Sequence, residues 1–159
     1  MKKLALLLML SAFVFASCGG GEATKADSSA PAVDAGQVAT AIVGTWEAEE
    51  LGEVLAGFGF SKPTSIEFSA DGKYIFKTVI GGTAFDIRGD YKIVDTASKP
   101  MKIDFNQKSK NGVAAEEEAA GIFEVTADGK FKTIFYRKAF LPRAASFGDD
   151  DTQVYKKVK

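Results

Sequence analysis

The sequence predicts an all-β domain that closes into an eight-stranded antiparallel up-and-down barrel, and three observations predict it. Apolar and polar residues alternate with a period of two over long stretches, which is typical of strands with one buried face. Tight-turn signals such as Asp71-Gly72 and Asp128-Gly129 separate these stretches. No long amphipathic helix is present to cover one face of an open sheet, so closure into a barrel best removes the exposed sheet edges.

The first four strands are predicted at residues 43–49, 64–69, 73–80 and 83–94. The fourth has the purest alternation, since charged residues separate the members of one apolar face. That face consists of Phe85, Ile87, Gly89, Tyr91 and Ile93. Turns at Asp71-Gly72 and Gly81-Gly82 connect these strands as hairpins. The segment between the first two strands, Leu51 to Phe60, is compatible with one or two turns of helix.

The last four strands are predicted at residues 100–107, 120–127, 130–137 and 152–158. Short connections between most neighbours indicate an antiparallel meander. A second short helix is expected at Ala114 to Ala120. The turn segment Ser69 to Tyr74 is similar to Thr126 to Phe131, which reflects either an internal duplication or two hairpins with the same turn solution.

Residues 1–17 are predicted to be a secretory signal peptide. Lys2 and Lys3 precede the apolar run Leu4 to Ala16, which is too short to span a bilayer, since a spanning helix needs roughly 20 residues. The run ends in Phe15-Ala16-Ser17-Cys18, which resembles a bacterial lipobox and implies a diacylglycerol on Cys18. The alternative is an ordinary signal peptide followed by a chance cysteine. Residues 18–37 then form the lipidated cysteine and a flexible tether, and residues 38–159 the barrel domain.

Composition excludes several classes of function. The 159 residues include 20 Lys plus Arg and 21 Asp plus Glu, and this balance argues against a nucleic-acid-binding protein. No histidine and only one cysteine are present, which excludes Ser-His-Asp triads, zinc sites of His and Cys, and intrachain disulfides. We therefore expect no enzyme, no cofactor and no metal. The expected protein is exported and held by its lipid on a membrane, in the outer membrane, the periplasm or facing the surface.

The motif Gly44-Thr45-Trp46 opens the first strand and resembles the lipocalin family, whose tryptophan closes the base of the barrel. The order of Lys99 to Phe105, Ala120 to Val125 and Leu141-Pro142-Arg143 is similar to a bacterial lipocalin-like domain family common in planctomycetes. The resemblance covers residues 41–159. It implies barrel closure by Gly44, Trp46 and a basic residue packed across the indole. Lys156 is the first choice for that residue and Arg143 the second, unless both are solvated surface charges.

The inward aromatic residues either line a ligand cavity or fill the barrel, because eight strands leave room for one small ligand at most. The candidate cavity residues are Phe68, Tyr74, Phe76, Phe85, Tyr91, Phe105, Phe123 and Phe135. No inward carboxylate or lysine is evident, so uncharged or anionic amphiphiles are expected, with a charged head near Arg143 or Lys138. The predicted function is a lipid-anchored envelope lipoprotein that binds a small hydrophobic molecule. A filled barrel would instead indicate a structural or protein-interaction module.

Three further segments are interpreted from their composition. Leu51 to Phe60 is apolar and rich in glycine, and forms either a flap at the barrel mouth or a plug over one end. Asp149-Asp150-Asp151 is expected to be a solvated loop, because calcium loops place their ligands at alternating positions. Glu116-Glu117-Glu118 is expected to be a polar turn or helix face.

Overall fold

The computed structural model describes residues 35–159, so the predicted signal peptide, Cys18 and the tether up to residue 34 lie outside the described residues. Residues 35–159 belong to one compact unit. Its elements are α1 (Ala35–Ile42), β1 (Gly44–Glu50), α2 (Glu53–Gly57), β2 (Phe60–Phe68), β3 (Lys73–Ile80), β4 (Thr83–Asp95), β5 (Met101–Lys110), β6 (Val113–Val125), β7 (Phe131–Arg137) and β8 (Gln153–Lys157). Neither α1 nor α2 has the length and apolar character that crossing a bilayer requires.

The eight strands form a closed barrel in which each strand pairs antiparallel with its neighbours in sequence and β8 pairs with β1. This confirms the predicted up-and-down barrel. The connections β2–β3, β4–β5 and β6–β7 lie with α1 and the C-terminus at one end, which we call the base. The other four connections lie at the opposite end, called the open end. The barrel is closed and its core comes from side chains within residues 35–159, so we expect a fragment of residues 31–159 to fold without other parts of the chain.

Two strands begin earlier than predicted. β2 starts at Phe60, and β6 starts at Val113, where a short helix was expected at residues 114–120. That expectation is wrong, because pairing with β5 outweighs the helical preference of alanine and glutamate in this segment. The sequence does contain a signal for this strand, the turn pair Asn111-Gly112, which the helix prediction overlooked. The two residues have φ angles of 52° and 77° and form a tight hairpin turn.

Helix α1 was not predicted, and it begins inside the segment interpreted as a tether. Its Val38 and Ile42 are 4% and 0% exposed and belong to the barrel core. Most residues of this segment are small, and only two of its side chains face the barrel. The sequence therefore gives little indication that the segment is buried. The helix thus closes the base, and the ordered domain starts at least three residues before residue 38.

Candidate functional site

Aromatic rings fill the half of the barrel nearest the base. Phe131 is central to them, since its ring centroid lies 5.4–6.1 Å from the rings of Trp46, Phe68, Phe123 and Tyr155. All five side chains are at most 1% exposed. These are the separations of packed aromatic pairs, so this half of the barrel is a solid core.

The eight residues predicted to line a cavity divide into two groups. Phe68, Tyr74, Phe76, Phe105 and Phe123 belong to the buried core, and Tyr91 and Phe135 pack against it. Phe68 lies 4.9 Å from Tyr91, and Tyr74 lies 5.1 Å from Phe105, between ring centroids. Near the base these rings therefore pack on one another rather than lining a cavity. Phe85 differs, because it lies near the open end, where the Lys110 ammonium sits 4.1 Å from its ring.

Towards the open end the inner face of the barrel is only partly covered. Strand register places Phe85, Ile87 and Ala119 on the same face as the buried Thr78, Phe76 and Phe105. All three are nevertheless half-buried, as are Phe60 and Phe135. We call this part of the interior the cup; its floor is Phe76 and Phe105, and its wall is Phe60, Phe85, Ile87, Ala119 and Phe135.

Polar groups are placed at a few positions around the cup. The Thr64 and Thr78 hydroxyls share a hydrogen bond of 2.8 Å, and both residues are at most 3% exposed. Gln107 is 8% exposed and donates from Nε2 to the Ala115 carbonyl oxygen at 2.8 Å. The Tyr74 hydroxyl has no hydrogen-bond partner within residues 35–159, so it can donate to a bound molecule.

An ion pair lies on the inner face at the mouth of the cup. Glu117 is paired in register with the buried Gln107, so it faces inwards, and its Oε1 lies 3.0 Å from Nε of Arg137. The expectation that no carboxylate or lysine faces inwards is therefore wrong, since Lys157 is also paired in register with the inward Trp46. For the carboxylate it failed because residues 114–120 were interpreted as a helix, which hid the strand alternation of Glu117. Burial, and then the nearby Glu117, raise the pKa of Tyr74.

The four tyrosines are expected to resist ionisation until the protein unfolds. Burial raises the pKa of Tyr74, Tyr91 and Tyr155, and burial with the hydrogen bond to Asp151 raises that of Tyr136 to about 12. Unfolded tyrosine ionises near pH 10, so the unfolded state loses protons first. The contribution of these tyrosines to the free energy of unfolding is therefore fully present below about pH 10. It decreases as the pH rises towards 12.

An alkaline titration followed by tyrosinate absorbance and by far-UV circular dichroism checks this expectation. The two signals should change together, and in guanidinium chloride the absorbance should change near pH 10. A tyrosine that ionises near pH 10 while the circular dichroism stays native would contradict the raised pKa of that tyrosine.

Trp46 connects the base of the barrel to α1 through a hydrogen bond. Its Nε1 donates to the Ile42 carbonyl oxygen at 2.7 Å, at the last turn of the helix. The Lys157 ammonium lies 5.2 Å from the indole ring and 3.3 Å from the Ala41 carbonyl oxygen. Gly44 has φ of 129°, and a Cβ there would collide with the Lys159 carbonyl, so only glycine fits.

The basic residue across the indole is Lys157, which corrects the predictions of Lys156 and Arg143. Register pairs Lys157 with Trp46 and Lys156 with Glu47. Neighbouring residues of a strand point to opposite faces, so Lys156 is directed outwards. A shift of one residue in the predicted register was enough to exchange the two lysines.

Arg143 has a different role on the outside of the barrel. It lies in the β7–β8 connection, residues 138–152, which we call the strap. Its Nη1 donates to the carbonyl oxygens of Ile103 at 2.9 Å and Gly121 at 2.6 Å, and its Nη2 pairs with Asp104. Ile122 and Ile134 pair on the outer face yet are only 1% and 2% exposed. The strap therefore covers an apolar patch outside the sheet.

The Leu51 to Phe60 segment lies at the rim of the open end. It contains α2, none of whose residues is buried, so this helix is not a packed plug. Its Val54 N–H donates to the Asp150 carbonyl oxygen at 3.1 Å, which joins it to the strap. Phe58 is 72% exposed.

The acidic runs show no metal-binding arrangement. The Tyr136 hydroxyl donates to Asp151, and Glu116 and Glu118 form ion pairs with Lys108 and Lys138. Glu116-Glu117-Glu118 lies in a strand rather than in a turn or helix. Across residues 35–159, no cluster of three or more potential metal ligands is present.

Two hollows are formed by other surfaces of residues 35–159. The first, of about 360 Å³, is bordered by α1, the β4–β5 connection and the end of β6, and includes Val38, Ala41, Pro100 and Met101. The second, of about 600 Å³, is polar and open, and includes Glu116, Glu118 and Lys138 together with Glu117 of the ion pair at the mouth. Neither hollow includes a residue of the cup wall.

Comparison with known proteins adds no family. No protein-family model, curated protein or solved structure matches the chain.

Proposed function

We propose that this protein is a lipid-anchored envelope protein whose cup binds a small, largely apolar molecule. The observation that carries the proposal is the set of inward-facing apolar side chains that stay half-buried above a buried aromatic floor. Apolar groups that a barrel directs inwards but does not cover gain free energy when a ligand removes them from water. A shallow cup, rather than a deep cavity, is supported because the half near the base is filled by packed rings.

The polar groups of the cup favour a ligand with one polar end. Apolar sites orient their ligands with a small number of hydrogen-bonding groups. The free Tyr74 hydroxyl supplies one donor, and Arg137 supplies a cation at the mouth. A carboxylate or sulfonate on the ligand competes with Glu117 for the Arg137 guanidinium. A cationic group on the ligand finds the Glu117 carboxylate already paired. Uncharged and anionic amphiphiles are therefore favoured over cationic ones.

We expect saturable binding of dansyl-undecanoic acid and of the neutral dye N-phenyl-1-naphthylamine to residues 31–159. Phe85→Asp should weaken both at least tenfold, since it places a charge in the apolar wall, and a lost 1.4 kcal/mol corresponds to tenfold. Val94→Asp is the matched control, because Val94 lies on the same strand and is 41% exposed on the outer face.

The binding proposal fails if neither probe binds saturably, or if both variants weaken binding equally. The alternative function would then be favoured, a structural or protein-interaction module with a filled barrel. Unchanged circular dichroism of the Phe85→Asp variant is required, so that a loss of binding is not a loss of fold.

The envelope location rests on the N-terminal sequence. The short apolar run and the lipobox-like Phe15-Ala16-Ser17-Cys18 support export and lipidation of Cys18. Attached acyl chains anchor stably when two or more are present. The motif Gly44-Thr45-Trp46, whose tryptophan lies at the barrel base, supports kinship with lipocalin-like domains. A binding rather than a catalytic role agrees with the absence of histidine from the sequence.

Replacing Cys18 with serine is expected to release the protein from membranes. In a bacterial host, the wild type should partition into the detergent phase, and the Cys18→Ser variant into the aqueous phase. Ser17→Ala is the control, since it keeps a small residue before the cysteine. Detergent partitioning of the Cys18→Ser variant that equals the wild type would disprove lipid anchoring.

A further inference from the structure

One row of residues across the inner face of the barrel carries polar side chains towards the cup. Strand pairing places Tyr74 opposite Gly89, and Gly89 opposite Gln107. On the next strand, Glu117 lies opposite Gln107. We call these four residues of β3, β4, β5 and β6 the polar row. Neighbouring strands are about 4.8 Å apart, so the Cα atoms of Tyr74 and Gln107 are separated by about 10 Å, with Gly89 between them.

Gly89 leaves a gap in the inner wall between the tyrosine and the glutamine. A Cβ atom at this position would collide with the carbonyl oxygen of Asn106 on the neighbouring strand, so only glycine fits. The side chains of Tyr74 and Gln107 therefore border the same space, and no third side chain of the row separates them. A ligand group above Gly89 meets Tyr74 on one side and Gln107 on the other.

The Tyr74 hydroxyl is a hydrogen-bond donor without an acceptor. The residue is 6% exposed, and its hydroxyl forms no hydrogen bond within residues 35–159. The hydroxyl is nevertheless reachable, because Asp151 Oδ1 is the one side-chain polar atom of these residues that is both enclosed and unpaired. Burial, and then Glu117, raise the pKa of Tyr74, so the hydroxyl keeps its proton at neutral pH. It is therefore available to donate to a ligand.

The Gln107 side chain offers the complementary acceptor. It is 8% exposed, and its Nε2 donates to the Ala115 carbonyl oxygen at 2.8 Å. This hydrogen bond defines the orientation of the amide, because a carbonyl oxygen accepts only from the nitrogen end. Oε1 accepts no hydrogen bond within residues 35–159, and it too is not enclosed. The polar row therefore presents one unpaired donor and one unpaired acceptor on the two sides of Gly89.

We propose that the cup selects, among uncharged amphiphiles, those whose polar end is a hydroxyl group. The ligand hydroxyl accepts a hydrogen bond from Tyr74 Oη and donates one to Gln107 Oε1. A ligand displaces the water that solvates these two atoms, and it loses affinity unless it restores both hydrogen bonds. An ether oxygen restores only the first, and a hydrocarbon end restores neither. This inference rests on the proposed binding function of the cup and specifies the class of ligand.

Displacement of N-phenyl-1-naphthylamine by 1-decanol and by 1-methoxydecane tests the inference, because these molecules share a chain and differ in one donor. The Cys18→Ser form of the whole chain serves as the parent protein in every arm, so that no attached acyl chain competes for the cup. We expect 1-decanol to bind at least about fivefold more tightly than the ether, since the ether leaves a buried acceptor unpaired.

Two variants assign the two hydrogen bonds separately. Gln107→Met removes the acceptor, so the preference for the alcohol should fall below about twofold. Methionine keeps nearly the volume of glutamine, so this loss would not be explained by the extra methyl group of the ether. Tyr74→Phe removes the donor, which both ligands use. Both should then bind at least about fivefold more weakly, while the preference for the alcohol remains.

Tyr91→Phe is the matched control for Tyr74→Phe. Tyr91 also packs against the core, but its hydroxyl already donates to the Ser69 carbonyl oxygen at 3.0 Å, at the base. Its removal should leave both affinities within about twofold of the parent protein. It should also lower the midpoint of urea denaturation, whereas Tyr74→Phe, which removes an unpaired hydroxyl, should not.

Equal binding of the two ligands by the parent protein overturns the inference, and so does a preference that a natively folded Gln107→Met variant leaves unchanged. If that variant does not fold, the parent protein and Tyr74→Phe still decide. Weakening by Tyr91→Phe as large as that by Tyr74→Phe also overturns it. If the dye binds saturably and neither ligand displaces it, this inference alone fails. If the dye itself does not bind, the proposed function fails, and this inference fails with it.

Discussion

Replacing Trp46 with alanine is expected to reduce the free energy of unfolding by about 3–5 kcal/mol, the range for a large buried aromatic residue. Three contacts are lost together: the Nε1 hydrogen bond to Ile42, the packing on Phe131 and the contact with Lys157. A domain of this size is stable by about 5–15 kcal/mol, so the variant should be close to unfolding. Urea denaturation followed by far-UV circular dichroism measures the change.

Two further variants separate packing from the hydrogen bond. Trp46→Phe keeps an aromatic ring but removes the donor to the Ile42 carbonyl, and should cost about 1–3 kcal/mol, the penalty for an unsatisfied buried acceptor. Phe58→Ala is the exposed aromatic control, at 72% exposure, and should change stability by less than about 0.5 kcal/mol. A midpoint for Trp46→Ala that matches the wild type would show that α1 and the indole do not close the base.

Replacing Arg143 with alanine is expected to cost about 2–3 kcal/mol, because hydrogen bonds from a charged group are stronger than neutral ones. The guanidinium holds the strap against the carbonyl oxygens of Ile103 and Gly121 and against Asp104. Without it, the strap no longer keeps water from Ile122 and Ile134. Denaturation measures the loss, and faster hydrogen exchange in residues 138–152 locates it.

Arg88→Ala is the matched control for this prediction. Arg88 also pairs with an aspartate, Asp86, but its side chain is 56% exposed, so its removal should cost less than about 1 kcal/mol. Arg143→Lys should recover only part of the stability, since an ammonium lacks the fork that bonds two carbonyls and a carboxylate. Equal effects of Arg88→Ala and Arg143→Ala would contradict the role of the strap.

Alternation in the sequence was sufficient to predict the barrel and most of its strands. The run from Phe85 to Ile93 shows why, since each charged residue faces outwards and each apolar residue inwards. The prediction failed at β6, where Val113 to Ala119 consists of alanine, valine and glutamate with little contrast between faces. There the hairpin turn at Asn111-Gly112 decided the structure, and only pairing with β5 made the segment a strand.

The candidate site was predicted less completely than the fold. Phe85 and Phe135 were correctly placed on the inner face, but the sequence does not show which inward aromatic rings contact each other. The Glu117–Arg137 ion pair at the mouth was missed, because its two members are twenty residues apart and one was assigned to a helix. The exposed fraction of a side chain depends on neighbours from other strands, which a local pattern does not contain.

The sequence by itself determined the strand periodicity, the glycine turns and the absence of histidine chemistry, because these depend on residue type and on neighbours in the chain. The tertiary structure alone decided that Lys157 rather than Lys156 lies across Trp46, since this requires the register between β1 and β8. It also decided that the barrel is filled near the base and only partly covered above Phe76 and Phe105, because that depends on how side chains from all eight strands share one interior.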